Sequence, residues 1–180
     1  MPWRSPLSPP MNETANSAEL GKKQFIMTNQ EILDRNLEVI RRYMTMKGQE
    51  RAERWKMFTD DATTGLQYTA DGKGMTVSGI DNIRQGDQFN CKNFPDWGFS
   101  NLEYFYSVDD PNHILVECDG EGTSMLLGRP IHHKDHYIHK FHLRDGKICL
   151  YREFMNPCNE LLEMGLTLPE PPVSSDDMTK

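Results

Sequence analysis

Apolar positions along the chain change their period about half-way. From Thr28 onward, Ile32, Leu33, Leu37, Ile40, Tyr43 and Met44 recur at three- and four-residue intervals, the stripe of an amphipathic helix. Thr28 is placed to cap the first turn, Glu31 completes a capping box, and Lys47-Gly48 marks the end. A second, shorter helix is expected over 49–58, with Ala52, Trp55, Met57 and Phe58 turned to a core and Asp60-Asp61 ending it. Residues 65–77 read as a hairpin. Leu66 and Tyr68 lead into Ala70-Asp71-Gly72, and Met75 and Val77 lead out. Residues 79–93 form a third helix with a thin stripe of Ile80, Ile83 and Phe89. The ring of Pro95 disfavours helix at Phe94, so Phe94-Pro95-Asp96-Trp97 is an extended turn.

From Phe99 the pattern is one of strands: 101–108, 113–122 with a continuation or kink over 123–127, 136–143 and 148–155. Asp109-Asp110-Pro111-Asn112, Gly128-Arg129-Pro130 and Arg144-Asp145-Gly146-Lys147 separate them. Residues 1–27 and 169–180 are rich in Pro, Ser, Asn or Asp and read as loose tails around one domain at 28–168. Helices followed by an antiparallel meander predict an α+β domain, a curved sheet wrapped by helices around a pocket.

Composition narrows the partners. A chain of 180 residues, 37% hydrophobic and 26% charged, suits one ordinary domain. Its 20 Lys+Arg against 27 Asp+Glu give a net charge of -7, which repels phosphate backbones, so no nucleic-acid partner is expected. No apolar run reaches the ~18 residues of a membrane span, and no basic-then-apolar leader opens the chain. Cys91, Cys118, Cys149 and Cys158 form no CxxC and read as free thiols in a reducing cytoplasm.

Glu153 is the first candidate for chemistry. Strand alternation puts it on one face with Tyr151 and Met155, where lost hydration raises a carboxyl pKa toward that of a general acid. The competing assignment is an exposed glutamate paired across the sheet with Lys140 or Arg144. His132, His133, His136, His139 and His142 are dense enough to suggest a metal. Alternation, however, puts His136 and His142 on one face and His139 on the other, so no metal is assigned. A buried His139 with the others wet, or one or two histidines lining the pocket, both remain open. Arg54 is either a clamp for a substrate carboxylate or a solvated helix arginine. Glu117 and Asp119 share a face, as an acid pair or as structural hydrogen-bonders. Gly120-Glu121-Gly122 precedes no helix and is no nucleotide loop.

Four segments together resemble the phenazine biosynthesis proteins PhzA and PhzB. They are Arg42-Tyr43-Met44-Thr45-Met46-Lys47-Gly48, Phe94-Pro95-Asp96-Trp97, Asp109-Asp110-Pro111-Asn112-His113 with Val116-Glu117-Cys118-Asp119-Gly120, and Arg152-Glu153-Phe154-Met155-Asn156. The resemblance implies a ketosteroid-isomerase-like (NTF2-like) cone, usually a homodimer and open to pairing with a paralogue. It also implies a cofactor-independent reaction. Two molecules of an aminocyclohexenone carboxylic acid condense head to tail through two imines to a hexahydrophenazine dicarboxylate. Glu153 aligns with the family's catalytic glutamate and Arg54 with the arginine at the substrate's polar end. The family's catalytic histidine and the serine one turn on read here as Gly86 and Asn90, and a loop tyrosine reads as His133. The loss of the histidine leaves two alternatives, a weakly active PhzA-like partner that binds the aminoketone, or the same fold acting on another small ketone.

Overall fold

The computed structural model describes residues 27–167 apart from 70, 108 and 164. The tails expected over 1–27 and 169–180 therefore lie outside the described residues, Met27 excepted, as do Ala70 of the first turn and Val108 of the strand expected over 101–108. Helix α1 spans Asn29–Thr45. Thr28 caps it: its hydroxyl accepts from the Glu31 backbone N–H, and the Glu31 carboxylate accepts from the Thr28 backbone N–H at 2.7 Å. The apolar stripe faces inward, with Leu33, Leu37, Ile40, Tyr43 and Met44 buried.

The next element, Gly48–Met57, is a 3-10 helix. At three residues per turn, positions i and i+3 stand one above the other. Arg51 and Arg54 are therefore aligned, and they are the buried residues of this helix, where the apolar pattern pointed to Ala52, Trp55 and Met57. Phe58 does not end the helix. It starts a strand, β1 (Phe58–Leu66), which contains Asp60 and Asp61. The sequence hid this strand because its buried positions are Phe58, Ala62 and Gly65, not every second residue. A register shift against its neighbour between Phe58 and Thr63 breaks the alternation.

Strand β2 (Met75–Ser78) completes the expected hairpin, with Leu66 opposite Met75. Helix α2 (Ile80–Asn93) follows Gly79, whose φ of 85° suits glycine. Then come β3 (Gly98–Tyr106), β4 (His113–Ser124), β5 (Ile131–Arg144), β6 (Lys147–Phe154) and a short α3 (Pro157–Glu163). Strand β5 begins at Ile131 and not at 136, because its pairing with β4 runs on to Ser124 opposite Ile131. His133 is thus a strand residue and not a loop residue. Nothing in the sequence reading anticipated α3.

The strands form one sheet in the order β2-β1-β6-β5-β4-β3. The α+β class holds, but the sheet is mixed, not wholly antiparallel: β1 runs parallel to β6. Bulges between Ser100 and Glu103 and between His142 and Leu143 bend β3 and β5–β6. Asn101, at φ 52°, marks the first and donates to Asp119 at 2.7 Å. The core includes Ile40 and Met44 of α1 with Phe58, Ile114, Val116, Phe141 and Ile148 of the sheet. Among the described residues no helix is long and apolar enough to cross a membrane.

Asn36 is the polar tie in this core. It is fully buried, and its amide donates to the Pro111 carbonyl (3.0 Å) and the Asn112 side chain (3.1 Å), pinning α1 to the β3–β4 turn. Asn36→Ala strands those acceptors and is expected to cost about 1–3 kcal/mol, read as a lower denaturation midpoint in urea. An unchanged midpoint would show that the tie contributes nothing.

Candidate active site

The bulged sheet and the helices enclose a cavity of 430 Å³, walled by residues from every element described. Its base is aromatic. Trp97 and Tyr137 meet edge to face at 5.9 Å over Gly120. A Cβ at Gly120 would lie 2.6 Å from Tyr137 and 2.7 Å from Trp97, so the Gly-x-Gly pair is there for close packing.

Glu153 lies in this cavity, opposite His139 across the β5–β6 pairing, and not with Lys140 or Arg144. Its side chain is 19% exposed. Burial pushes the carboxyl above the usual range, while the Tyr151 hydroxyl, Arg54 and His133 pull back less strongly. The Tyr151 hydroxyl donates to Glu153 Oε2 at 2.5 Å. His139, fully buried, lies 2.9 Å from the same hydroxyl through Nδ1. Burial, and then Arg54, push the His139 pKa down to about 3, so its 3.5 Å approach to Glu153 is not an ion pair. Tyr151 gives its one proton to Glu153, which assigns the His139 proton to Nδ1. The chain of bonds fixes the carboxyl's position from behind.

Arg54 is 8% exposed and lines the cavity. Its guanidinium stacks over Tyr43 at 4.6 Å and donates to the Met46 carbonyl at 3.3 Å, while its buried Nε has no hydrogen-bond partner among the described residues. His133 stacks on Trp97, bonds to Glu163 through Nδ1, and stands 3.1 Å from the Tyr137 hydroxyl through Nε2. Gly86 and Asn90 line the cavity from α2. All five residues singled out from the sequence (Glu153, Arg54, His133, Gly86 and Asn90) are thus brought to one cavity. The remaining histidines are dispersed. His136 sits on the outer face between Glu117 and Asp119, and His142 stacks on His113. Glu117 and Asp119 are accordingly structural partners of a histidine and form no acid pair.

Asp87 was missed. It lines the cavity beside Gly86, and burial pushes its carboxyl from 3.8 up to about 7 against the pull of Arg54, the Trp55 backbone and Arg51. The signal was available: Ile83, Asp87 and Asn90 recur at i, i+4 and i+7, so a helix that buries Ile83 turns Asp87 the same way.

The family profile described as phenazine biosynthesis protein A/B matches residues 18–177. The chain belongs to the phenazine biosynthesis protein A/B family. It is 38% identical over 148 residues to phenazine biosynthesis protein PhzB of Pseudomonas fluorescens, covering 82% of this chain and 91% of that one. It is 38% identical over 143 residues to phenazine biosynthesis protein PhzA2 of Pseudomonas aeruginosa, covering 79% and 88%. The crystal structure of a phenazine biosynthesis-related protein, PhzB2 of Pseudomonas aeruginosa, superposes with a TM-score of 0.77 at 35% identity, covering 82% and 96%. A protein of ketosteroid isomerase-like fold from Catenulispora acidiphila superposes at 0.59 with 14% identity, covering 72% and 94%, a likeness of fold alone. The ketosteroid-isomerase-like architecture is thereby established for this PhzA/PhzB family member.

Two raised carboxyls in one cavity make a stability prediction. Each favours its neutral form when folded, so each weakens the fold as pH rises from its unfolded pKa through its folded one. For Asp87 that window is 3.8 to about 7. Asp87→Asn should stabilise the protein at pH 8 relative to pH 4 by about 1–4 kcal/mol and Glu153→Gln should act in the same direction, measured by urea unfolding at both values. Equal effects at the two pH values would mean that neither carboxyl is held out of water.

Proposed function

We propose that this protein condenses two molecules of an aminocyclohexenone carboxylic acid, through two imines, to the tricyclic hexahydrophenazine dicarboxylate of phenazine biosynthesis. The observation that carries the reading is Glu153, a carboxyl raised by burial and aimed into an apolar cavity by Tyr151. Imine formation needs an acid for the departing carbinolamine oxygen, and burial keeps the proton on Glu153 to a higher pH than an exposed glutamate would hold it. The chief barrier to joining two small reactants is entropic, and an enclosed site that holds amine against carbonyl lowers it. At 430 Å³ the cavity falls within the span of about 300–1,000 Å³ usual for small-molecule sites.

In this reading the Arg54 guanidinium takes the substrate carboxylate, and the Tyr43 ring beneath orients it. His133 and Asn90 shape the polar rim, the former immobilised by Glu163 and Trp97. The chemistry calls for no cofactor. The cytoplasm is the proposed compartment and a homodimer the proposed assembly. Phe105, Leu115 and Ile138, exposed together on the outer face of β3–β5, form the apolar surface on which a second copy would pack.

One observation favours a weakly active, PhzA-like partner as the second reading: the cavity wall at Gly86 carries no side chain. Among the described residues a Cβ placed there meets nothing within 4 Å, so a side chain would enter open space.

The test is tricycle formation from freshly generated aminoketone, measured against the uncatalysed background. Glu153→Gln is expected to lower kcat by about 10²–10⁴-fold with little change in KM. Turnover that survives the substitution would remove Glu153 from the chemistry. Arg54→Gln is expected to raise KM by about 10–100-fold, the cost of one charge-assisted bond to the carboxylate. The partner reading predicts instead that the native protein does no better than background and that Gly86→His confers turnover.

A further inference from the structure

Asp87 is a titratable group in this cavity to which the condensation reading gives no task. It stands on α2 next to the open space at Gly86; the Trp55 backbone N–H bonds its carboxyl, and its Oδ2 is buried with no hydrogen-bond partner among the described residues. The charged and titratable groups around it are Arg51 and Arg54 of the 3-10 helix, Tyr43 of α1 and Cys91 one turn along α2. Glu153 reaches the same cavity from β6, with Oε2 occupied by the Tyr151 hydroxyl. Two carboxyls therefore enter one cavity from different walls. One is bonded from behind, and the other has an oxygen left free.

We propose that Asp87 is the second proton-transfer residue of this site: its carboxylate receives the ammonium end of an amine substrate and takes one proton from it. The proposal rests on the condensation reading and extends it. An ammonium has no lone pair and cannot attack a ketone. Transfer of one N–H proton to Asp87 leaves R–NH2 and a neutral Asp87 carboxyl. The nitrogen lone pair forms the C–N bond as the carbonyl π pair moves to oxygen, and the nitrogen proton passes to that oxygen to give a neutral carbinolamine. Glu153 then protonates the hydroxyl, and the C–O bond breaks as the nitrogen lone pair forms C=N and water leaves. The Glu153 carboxylate recovers its proton from the iminium, and Asp87 returns its own to solvent. The balance is ammonium plus ketone to imine, water and one proton, with no oxidant or reductant.

Near neutrality Asp87 exchanges its proton readily, since burial pushes it to about 7. Glu153 cannot serve both ends of the reaction at once, because it must still hold its proton when the oxygen leaves.

The competing role for Asp87 is that of a counterion for Arg51 and Arg54, and a pair of unreactive probes separates the two. Wild-type protein, Asp87→Asn and Asp87→Glu are titrated by calorimetry with 3-aminocyclohexanecarboxylate and with cyclohexanecarboxylate from pH 6 to 9. The wild type is expected to bind the amino acid about 10-fold or more tighter at pH 8, with the preference growing as pH rises through 7. In Asp87→Asn the preference should vanish while the amine-free acid binds no more weakly, and Asp87→Glu should restore part of it. A preference that persists in Asp87→Asn, or an equal loss for both probes, overturns the proposal. Turnover gives a separate arm: Asp87→Asn should lower kcat about 10²-fold or more at similar KM and abolish the acidic limb of the pH profile near 7. A wild-type protein with no turnover defeats the condensation reading, and the probe ratio then decides the role of Asp87 by itself.

Discussion

Removing a carboxyl group from water is expensive unless something replaces the lost hydration, and the interior of this protein is arranged around that cost at Glu153. Tyr151 supplies one hydrogen bond, and a neutral, wholly buried His139 holds Tyr151 in turn. Arg54 brings positive charge near but spends its own bond on a backbone carbonyl. The compensation is incomplete, and the incompleteness matters. A carboxyl fully neutralised by an arginine would be an ordinary carboxylate, with no proton to give. One with a single tyrosine bond keeps its proton to higher pH.

The fold produces this state by placement. Pairing of β5 with β6 sets His139 beside Glu153, and alternation turns Tyr137, His139 and Phe141 inward with them. The parallel β1 covers the far edge of β6, so Glu153 sits in the interior of the sheet and not on a solvated margin. The 3-10 helix then aims two arginines across the cavity at a repeat that an α-helix would have staggered. Each of these is a backbone decision, and the electrostatics of the site follow from them.

Such decisions were unequally legible. The capped α1 and the long strands announced themselves through clean apolar periods, whereas α2 showed only a thin stripe, of which Ile83 is buried and Phe89 is exposed. Alternation alone put Glu153 with Tyr151 and separated His139 from His136. Strand β1 was invisible because a bulge removes the alternation, and α3 because seven residues give too little period to read. The burial of Arg51 and Arg54 ran against their hydropathy: Arg54 stacks on Tyr43 and bonds to the Met46 carbonyl, and Arg51 bonds to the Phe94 carbonyl. Glu153, Arg54 and His133 were singled out from the residues and given roles by kinship, Gly86 and Asn90 came from kinship alone, and all five reach the cavity. Asp87 was overlooked because kinship directed attention to Gly86 next to it.

That neighbouring pair is instructive about how a site can change without its fold changing. Glycine at 86 removes a side chain from the wall and leaves space, while the next position supplies a carboxyl that burial tunes toward neutrality. Successive positions on a helix point about 100° apart, so the two cannot deliver a group to the same point. A proton carrier moved from one position to the other must meet a different atom of the substrate, or the same atom in a substrate turned within the cavity. In the proposed chemistry the nitrogen and the oxygen of one carbinolamine are bonded to the same carbon, so such a turn costs little reach. The apolar walls then matter twice. They raise the pKa of both carboxyls, and in the proposed reaction they would keep bulk water from the imine.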